Sequence, residues 1–248
     1  MKLITYFAAF FLCFLTFQTY AQRPEPDQIE TTSGVLTIQP IHHGTLVLSG
    51  DSITVYIDPV GGAEAFEGLD KPDIILITHA HGDHLSIETL NALDTKNAKL
   101  IVPQSVADEL PEKYAGRVVI LANDETTQQS GISITAVAMY NLPPSEDAYH
   151  PKGWGNGYVL TMDHKKVYIS GDTEGTPEMR ALKNIDITFL CMNLPYTMNV
   201  EQAADAVLDF KPGIVYPYHY RGQDTKKFKQ WVNAKSDQIE VRLRDWYK

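Results

Sequence analysis

The chain has 248 residues, 44% hydrophobic and 21% charged, the proportions of an ordinary globular protein, which exclude disordered, collagen-like and coiled-coil chains. Asp and Glu number 31 against 21 Lys and Arg, and the formal net charge of −10 argues against a broad electrostatic grip on nucleic acid. With 2 cysteines the chain can build neither a disulfide framework nor a cysteine-rich zinc cluster.

Lys2 precedes an apolar run over residues 3–17, and Thr19-Tyr20-Ala21 is an imperfect small-x-small cleavage pattern. Residues 1–21 therefore read as a secretory signal peptide, and the expected location is periplasmic or secreted. A retained anchor is disfavoured by the short run and the few flanking basic residues, so no stable membrane insertion is expected after cleavage. Phe10, Phe11 and Leu12 are too bulky before Cys13 for a lipid-attachment site. Removing Cys13 leaves Cys191, which lies in the apolar stretch 187–192 and reads as a buried small hydrophobe. Residues 22–32 are polar and contain proline, which predicts a flexible tether ahead of one domain over 33–248.

Short β-type runs follow at 35–39, 44–48 and 53–57, with Ser49-Gly50-Asp51-Ser52 as a hairpin turn. The continuous apolar run 74–78 predicts a strand covered on both faces. A helix over 86–93, a strand at 100–102, a helix over 106–114 and strands at 118–121 and 132–139 come next. The second half alternates again: a hairpin of 157–162 and 166–170 across Asp163-His164, a strand at 187–192, and a helix over 199–211 capped by Asn199 and Gln202. A strand at 214–217, a helix over 225–234 and a strand at 239–243 close the chain. Two halves of strands followed by helices predict two packed sheets with helices outside.

The chemistry concentrates in Thr78-His79-Ala80-His81-Gly82-Asp83-His84, where the apolar strand gives way to a helix. In extended backbone, positions two apart project to one side, so His79 and His81 can reach one metal ion together. The chain turns at Gly82, and Asp83 and His84 can aim at a second point nearby. Imidazole and carboxylate without thiolate suit zinc, manganese or iron. Asp58, Asp172 and His219 also stand at strand ends, where loops of layered α/β folds converge on one crevice. Taken singly, Asp172 reads equally as a turn residue and His219 as a packed histidine between Tyr218 and Tyr220.

His79-x-His81-x-Asp83-His84, then Gly171-Asp172, then His219, resembles the metallo-β-lactamase superfamily over nearly all of the domain. Residues 41–48 with Asp58-Pro59, the stretch 153–172 and the late Tyr-His-Tyr look most like its ascorbate-6-phosphate-lactonase-like branch of metal-dependent hydrolases. The resemblance implies an αββα sandwich, two mixed sheets with helices on the outer faces, and one or two divalent ions, zinc first and manganese or iron as alternatives. It implies that His79 and His81 hold the first ion, that Asp83, His84 and His219 hold the second, that Asp172 bridges them, and that Asp58 supports the site from behind. One position departs from the pattern. Asn141 stands where the family places a further histidine, and the histidine available in the interval is His150, expected here as the third ligand of the first ion if its loop folds back.

The implied activity is hydrolysis of an ester, lactone, amide or phosphodiester bond of a small molecule by metal-activated water, with Asp83 or Asp172 orienting the nucleophile and handling its proton. Two alternatives stand beside it: a β-lactamase proper, disfavoured because Cys191 is at no matching strand end, and a non-catalytic metal- or partner-binding domain, disfavoured by the nearly complete ligand set. His43 reads as a substrate contact or as packing, His164 as a solvated turn residue, and Trp154, Tyr196 and Arg221 as pocket-lining candidates by position alone. The irregular stretch 140–158 has the length and composition of a lid or specificity loop.

Overall fold

The computed structural model describes residues 23–50 and 52–247. The expected signal peptide and Asp51 of the expected hairpin turn lie outside the described residues.

The first half of the chain builds one sheet and the second half the other. β1 (Asp27–Glu30), β2 (Val35–His42), β3 (Thr45–Ser49), β4 (Thr54–Ile57), β5 (Ile74–Leu76), β6 (Lys99–Val102) and β7 (Val118–Ile120) lie side by side in that order. β8 (Thr126–Gln129), β9 (Ile132–Met139), β10 (Gly155–Met162), β11 (Lys165–Ile169), β12 (Ile187–Cys191), β13 (Ile214–Tyr218) and β14 (Glu240–Val241) form the second sheet, again in sequence order. In each sheet the first four strands pair antiparallel and the last three continue parallel. The halves thus share a topology although their sequences do not visibly match.

Connections follow from strand direction. Antiparallel neighbours need only tight turns, and Asp163-His164 supplies one with φ of 50° and 62°, the positive values that fit a twisted hairpin. Parallel neighbours need crossovers, provided by α1 (Ile87–Ala92), α2 (Gln104–Ala107), α3 (Pro177–Arg180), α4 (Val200–Phe210) and α5 (Thr225–Asn233). In α4 the Asn199 side chain accepts from the Gln202 backbone while the Gln202 side chain reaches back to Asn199, so two otherwise orphaned N–H groups are met. Lys211 then turns left-handed at φ 48° ahead of Pro212 and ends the helix.

Alternation along the strands sorts the core into layers. Leu46, Leu48, Ile74 and Leu76 share a buried cluster with Ile134, Tyr158 and Leu160 of the second sheet. The intervening Val47, Ile75 and Ile77 face the other way and pack with Leu90 of α1 and Val106 of α2. Ala203, Val207 and Phe210 of α4 and Phe228 and Val232 of α5 complete the burial over the second sheet. Each such aliphatic side chain contributes about 1.5–3 kcal/mol on burial. The result is the expected sandwich of two mixed sheets with helices outside.

Three expectations need correction. Residues 22–32 are not wholly a tether: Asp27–Glu30 forms β1, antiparallel to β2, and Arg242 and Arg244 of the last segment hold the Asp27 carboxylate. The helix expected over 106–114 is broken into α2 and a 3-10 turn at Glu112–Arg117, because Pro111 lacks an N–H and forces the preceding backbone to extend. The last strand, expected over 239–243, spans only Glu240–Val241.

Candidate metal centre

The turn after β2 and the loops after β4, β5, β9, β11 and β13 all leave the sandwich at one edge. The two sheets are tied there by Asn156 N–H donating to the Thr78 carbonyl at 2.8 Å.

Asp58 ends β4 and is fully buried. Its Oδ1 accepts from Thr78 N–H at 2.7 Å, and its Oδ2 lies 2.8 Å from Thr78 Oγ1 and 2.7 Å from His84 Nδ1. A carboxylate only accepts, so Thr78 and His84 Nδ1 both donate to it, and the lone pair of His84 is left on Nε2. The single hydroxyl proton of Thr78 is thereby used, and Thr78 Oγ1 accepts from His79 Nδ1 at 3.0 Å. His79 therefore also presents Nε2, which lies 3.1 Å from His81 Nδ1.

His150 is drawn in by Asn141. Asn141 Oδ1 accepts the His150 backbone N–H at 2.8 Å and faces the ring Nδ1 at 3.2 Å, while Asn141 N–H donates to the His150 carbonyl at 3.0 Å. The loop folds back, and Asn141, at the position where the resemblance places a histidine, holds the His150 ring against the cluster. His150 Nε2 is buried without a hydrogen-bond partner and lies 3.6 Å from Asp172 Oδ2.

Asp172 stands at the middle of the cluster. Its Oδ1 is buried and makes no hydrogen bond, although His219 Nε2 and His84 Nε2 are 3.4 and 3.6 Å away. Gly171 before it has φ 60°, and a Cβ there would meet Met139 Sδ at 2.7 Å and Thr78 Cβ at 3.1 Å, so only glycine lets the Asp172 loop approach this closely. His219 follows β13 at φ 46°, clamped by its N–H to the His43 carbonyl and its own carbonyl to Met192 N–H. Asp58 and His43 are held at positive φ as well, 45° and 53°. Non-glycine residues adopt such backbone only when their surroundings impose it.

Ligand-type atoms gather into three sets, each within 4.8 Å: His79, His81 and His150; His79, His84 and Asp172; and His43, Asp83 and His219, the last joined to the others where His219 Nε2 lies 3.1 Å from His84 Nε2. The four residues of the His79–His84 turn, His150, Asp172 and His219 therefore meet in one cleft, as the sequence led us to expect, and His43 joins them. Separations of 3.1 to 3.6 Å between such atoms match the edges of a tetrahedron with metal–nitrogen bonds of about 2.0–2.1 Å, about 3.4 Å. Two buried ligand-type atoms of the cluster, His150 Nε2 and Asp172 Oδ1, have no hydrogen-bond partner among the described residues, and a cation in the cluster would meet both. The donor set fits a divalent ion.

The charge balance agrees. Burial pushes the His79 ring well below its ordinary value and the His150 ring down to about 4, so both are neutral at physiological pH. Burial alone would raise Asp172 and Asp83. The facing His219 and His84 rings overrule it at Asp172, and the nearby His219 ring with the His43 hydrogen bond overrules it at Asp83, so both carboxyls are held far down. Burial would lower His84, but Asp172 and Asp58 prevail and raise it well above its ordinary value.

The cleft opens where His81 is half-buried and Gly82 and Asp83 are exposed. Trp154 walls one side, its ring 4.8 Å from that of His81 and 5.5 Å from that of His79. Tyr196 lends its backbone carbonyl to Asn141 Nδ2 and stacks edge-on against Tyr149. Arg221 is exposed, and its charge acts on the neighbouring Tyr247. His164 is exposed in its turn. Cys191 is buried against Thr173, and burial pushes its thiol up to about 12, which leaves it a core residue. The contact by which Asn141 holds His150 carried no sequence signal, since it depends on how the irregular loop between β9 and β10 folds back.

Residues 54–220 match the family model of the β-lactamase superfamily domain. A UPF0173 metal-dependent hydrolase of Pyrococcus abyssi is 28% identical over 222 residues, 84% of this chain and 97% of that protein. Its counterpart in Thermococcus onnurineus is 33% identical over 181 residues, 69% of this chain and 80% of that protein. Among solved structures, a candidate metal-dependent hydrolase of Parabacteroides distasonis superposes with a TM-score of 0.81 at 41% identity, covering 91% of this chain and 100% of that one. Igni18, a metallo hydrolase of Ignicoccus hospitalis, shares the fold with a TM-score of 0.71 at 24% identity. The chain belongs to the metallo-β-lactamase superfamily. Within it, the chain falls among the metal-dependent hydrolases.

Proposed function

We propose that the cleft holds two divalent ions, zinc first among the candidates, and hydrolyses an ester, lactone or phosphodiester bond of a small molecule. His79, His81 and His150 would hold one ion and Asp83, His84 and His219 the other, with Asp172 facing both. The observation that carries this reading is the pair of buried, unpartnered atoms His150 Nε2 and Asp172 Oδ1 inside a ring of imidazoles. When bound, such ions supply a Lewis acid and a hydroxide nucleophile at neutral pH.

The chain's own residues account for the rest. Asp83 is the cluster's solvent-facing carboxylate, 48% exposed, and, held ionised, is placed to orient the attacking water by accepting a hydrogen bond from it. Asp172, enclosed, fixes the spacing between the two halves of the cleft. Trp154 excludes water from the wall beside His79 and His81. Leu142, Tyr149, Leu194 and Tyr196, exposed on loops at the same edge of the sandwich, give the rim an apolar character that suits a substrate carrying an apolar group. The lactone reading draws on the resemblance to the ascorbate-6-phosphate-lactonase-like branch. Export is part of the same proposal and rests on residues 1–21; an N-terminus at Gln22 in the secreted protein would support it.

The test is metal analysis of the purified protein together with assays on a generic phosphodiester, an ester, a lactone and a cephalosporin. Bound metal with turnover of one of the first three supports the proposal. Bound metal with no turnover of any of them contradicts it, and turnover of the cephalosporin alone reassigns the chain to antibiotic hydrolysis.

A further inference from the structure

The turn between β2 and β3 sets His43 against one half of the cluster, and its side chain is 4% exposed. His43 Nε2 lies 3.1 Å from Asp83 Oδ2, and Nδ1 lies 2.6 Å from the Tyr247 hydroxyl. The His43 ring covers that of His219 at a centroid separation of 3.6 Å. The backbone repeats the connection: His43 N–H donates to the Trp246 carbonyl at 3.1 Å, and the His43 carbonyl accepts from His219 N–H at 3.2 Å. The segment bearing Tyr247 is anchored in turn, with Trp246 buried edge-on to Phe189 and Tyr247 edge-on to Tyr220.

Hydrogen-bond arithmetic fixes the His43 tautomer. The Asp83 carboxylate only accepts, so the 3.1 Å contact requires a proton on Nε2. The neutral ring then accepts at Nδ1, and the Tyr247 hydroxyl donates there. A metal ligand needs a free lone pair, which a protonated Nε2 lacks. His43 is thus set apart from Asp83 and His219, although ligand-type atoms of all three lie within 4.8 Å of one another.

We infer that Tyr247 and His43 are positioning residues for the ion held by Asp83, His84 and His219: the Tyr247 hydroxyl fixes the His43 ring, and that ring fixes Asp83 and stacks His219 in place. The inference rests on the two-ion reading of the cleft. Asp83 is the carboxylate that needs such a hold. Its side chain is 48% exposed, against 5% for Asp172 and 0% for Asp58, so it has rotamers to lose to solvent. Without the hydroxyl, Nδ1 is free to take the ring proton. Nε2 then turns a lone pair toward a carboxylate and releases it.

The experiment is stepwise zinc titration of the metal-free full-length protein against a chromophoric chelator. Wild type should take up two ions. Tyr247→Phe should weaken one step by about 10- to 100-fold and leave the other within about twofold, the size usual for loss of a group that orients a ligand. His43→Ala should weaken the same step, and His43→Gln, whose amide can still donate to Asp83, should recover part of the loss. Tyr56→Phe, which removes a hydroxyl bonded to the Asp70 carbonyl away from the cluster, should change neither step. Unchanged affinities in Tyr247→Phe, equal weakening of both steps, or a His43→Gln no better than His43→Ala would overturn the inference. Should Tyr247→Phe not fold, the Gln and Ala variants of His43 carry the test. A wild-type chain that takes up no second ion overturns the two-ion reading and this inference together; failure confined to the variants overturns the inference alone.

Discussion

Asp58 does not reach the cleft, yet through Thr78 and His84 it decides which imidazole nitrogens do. Asn141 does the same for His150, and Tyr247 for His43. Each is a neutral or buried acceptor–donor pair that sets a tautomer, and each is paired with a residue that faces the cluster. Truncating a ligand should therefore differ sharply from truncating a bystander. His81→Ala and Asp172→Ala should each lose metal by elemental analysis and most of the activity, while the exposed turn residue His164→Ala should keep both; unaltered stoichiometry in His81→Ala would count against the ligand assignment. The proposed ligands were legible in the sequence because their spacing is local: alternate residues of one extended segment, or single residues at strand ends. His150 was legible only by elimination. Of the orienting residues, Asp58 was expected from the resemblance, whereas the hold of Asn141 on His150 and of Tyr247 on His43 was not legible, because a hydrogen bond between irregular segments has no periodicity to read.

Elements were legible where hydrophobic alternation is long. Ile132–Met139 has the bounds expected from its alternation, and α4 lies inside its expected span because a capping box and Pro212 mark its ends. The polar edge strand Thr126–Gln129 and the four-residue α3 left no pattern, and Pro111 divided a segment whose apolar spacing read as one helix. The cap offers a stability test. Asn199→Ala should cost about 1 kcal/mol, a fall in melting temperature of about 2–4 °C for a chain of this size, with metal content unchanged. The β2–β3 turn offers the opposite test. A Cβ on Gly44 would meet His84 Cε1 at 3.0 Å and His219 Cδ2 at 3.3 Å, so Gly44→Ala should press on the rings directly. Zinc titration should show weaker binding by about 10-fold or more with little loss of secondary structure by circular dichroism; an unchanged affinity would mean that the rings move aside freely.

At the scale of the whole molecule, the sandwich carries a cluster whose charge state is coupled to folding. Burial lowers His43, His79 and His81, and takes His150 from 6.5 to about 4. A histidine lowered on folding stabilises the native state above its unfolded value, and that contribution is lost as pH falls toward the folded value. His84, raised by Asp172 and Asp58 against its burial, acts in the other direction and loses its contribution as pH rises. Below about pH 6.5 the contribution of His84 is fully present and no longer changes, so the lowered rings set the slope and the metal-free protein should melt at progressively lower temperature as pH drops from about 6.5 toward about 4. Added zinc should raise the melting temperature at neutral pH and lose that effect over the same range, since protons and metal compete for the same nitrogens. A flat or rising profile toward acid would contradict the assignment of these rings as buried and neutral. The most direct test of the account is anomalous diffraction at the zinc edge from zinc-loaded crystals. The account predicts peaks within bonding distance of His79, His81 and His150, and of Asp83, His84 and His219, with Asp172 between them. A map whose zinc peaks lie elsewhere, or that shows none in this cleft, would contradict it.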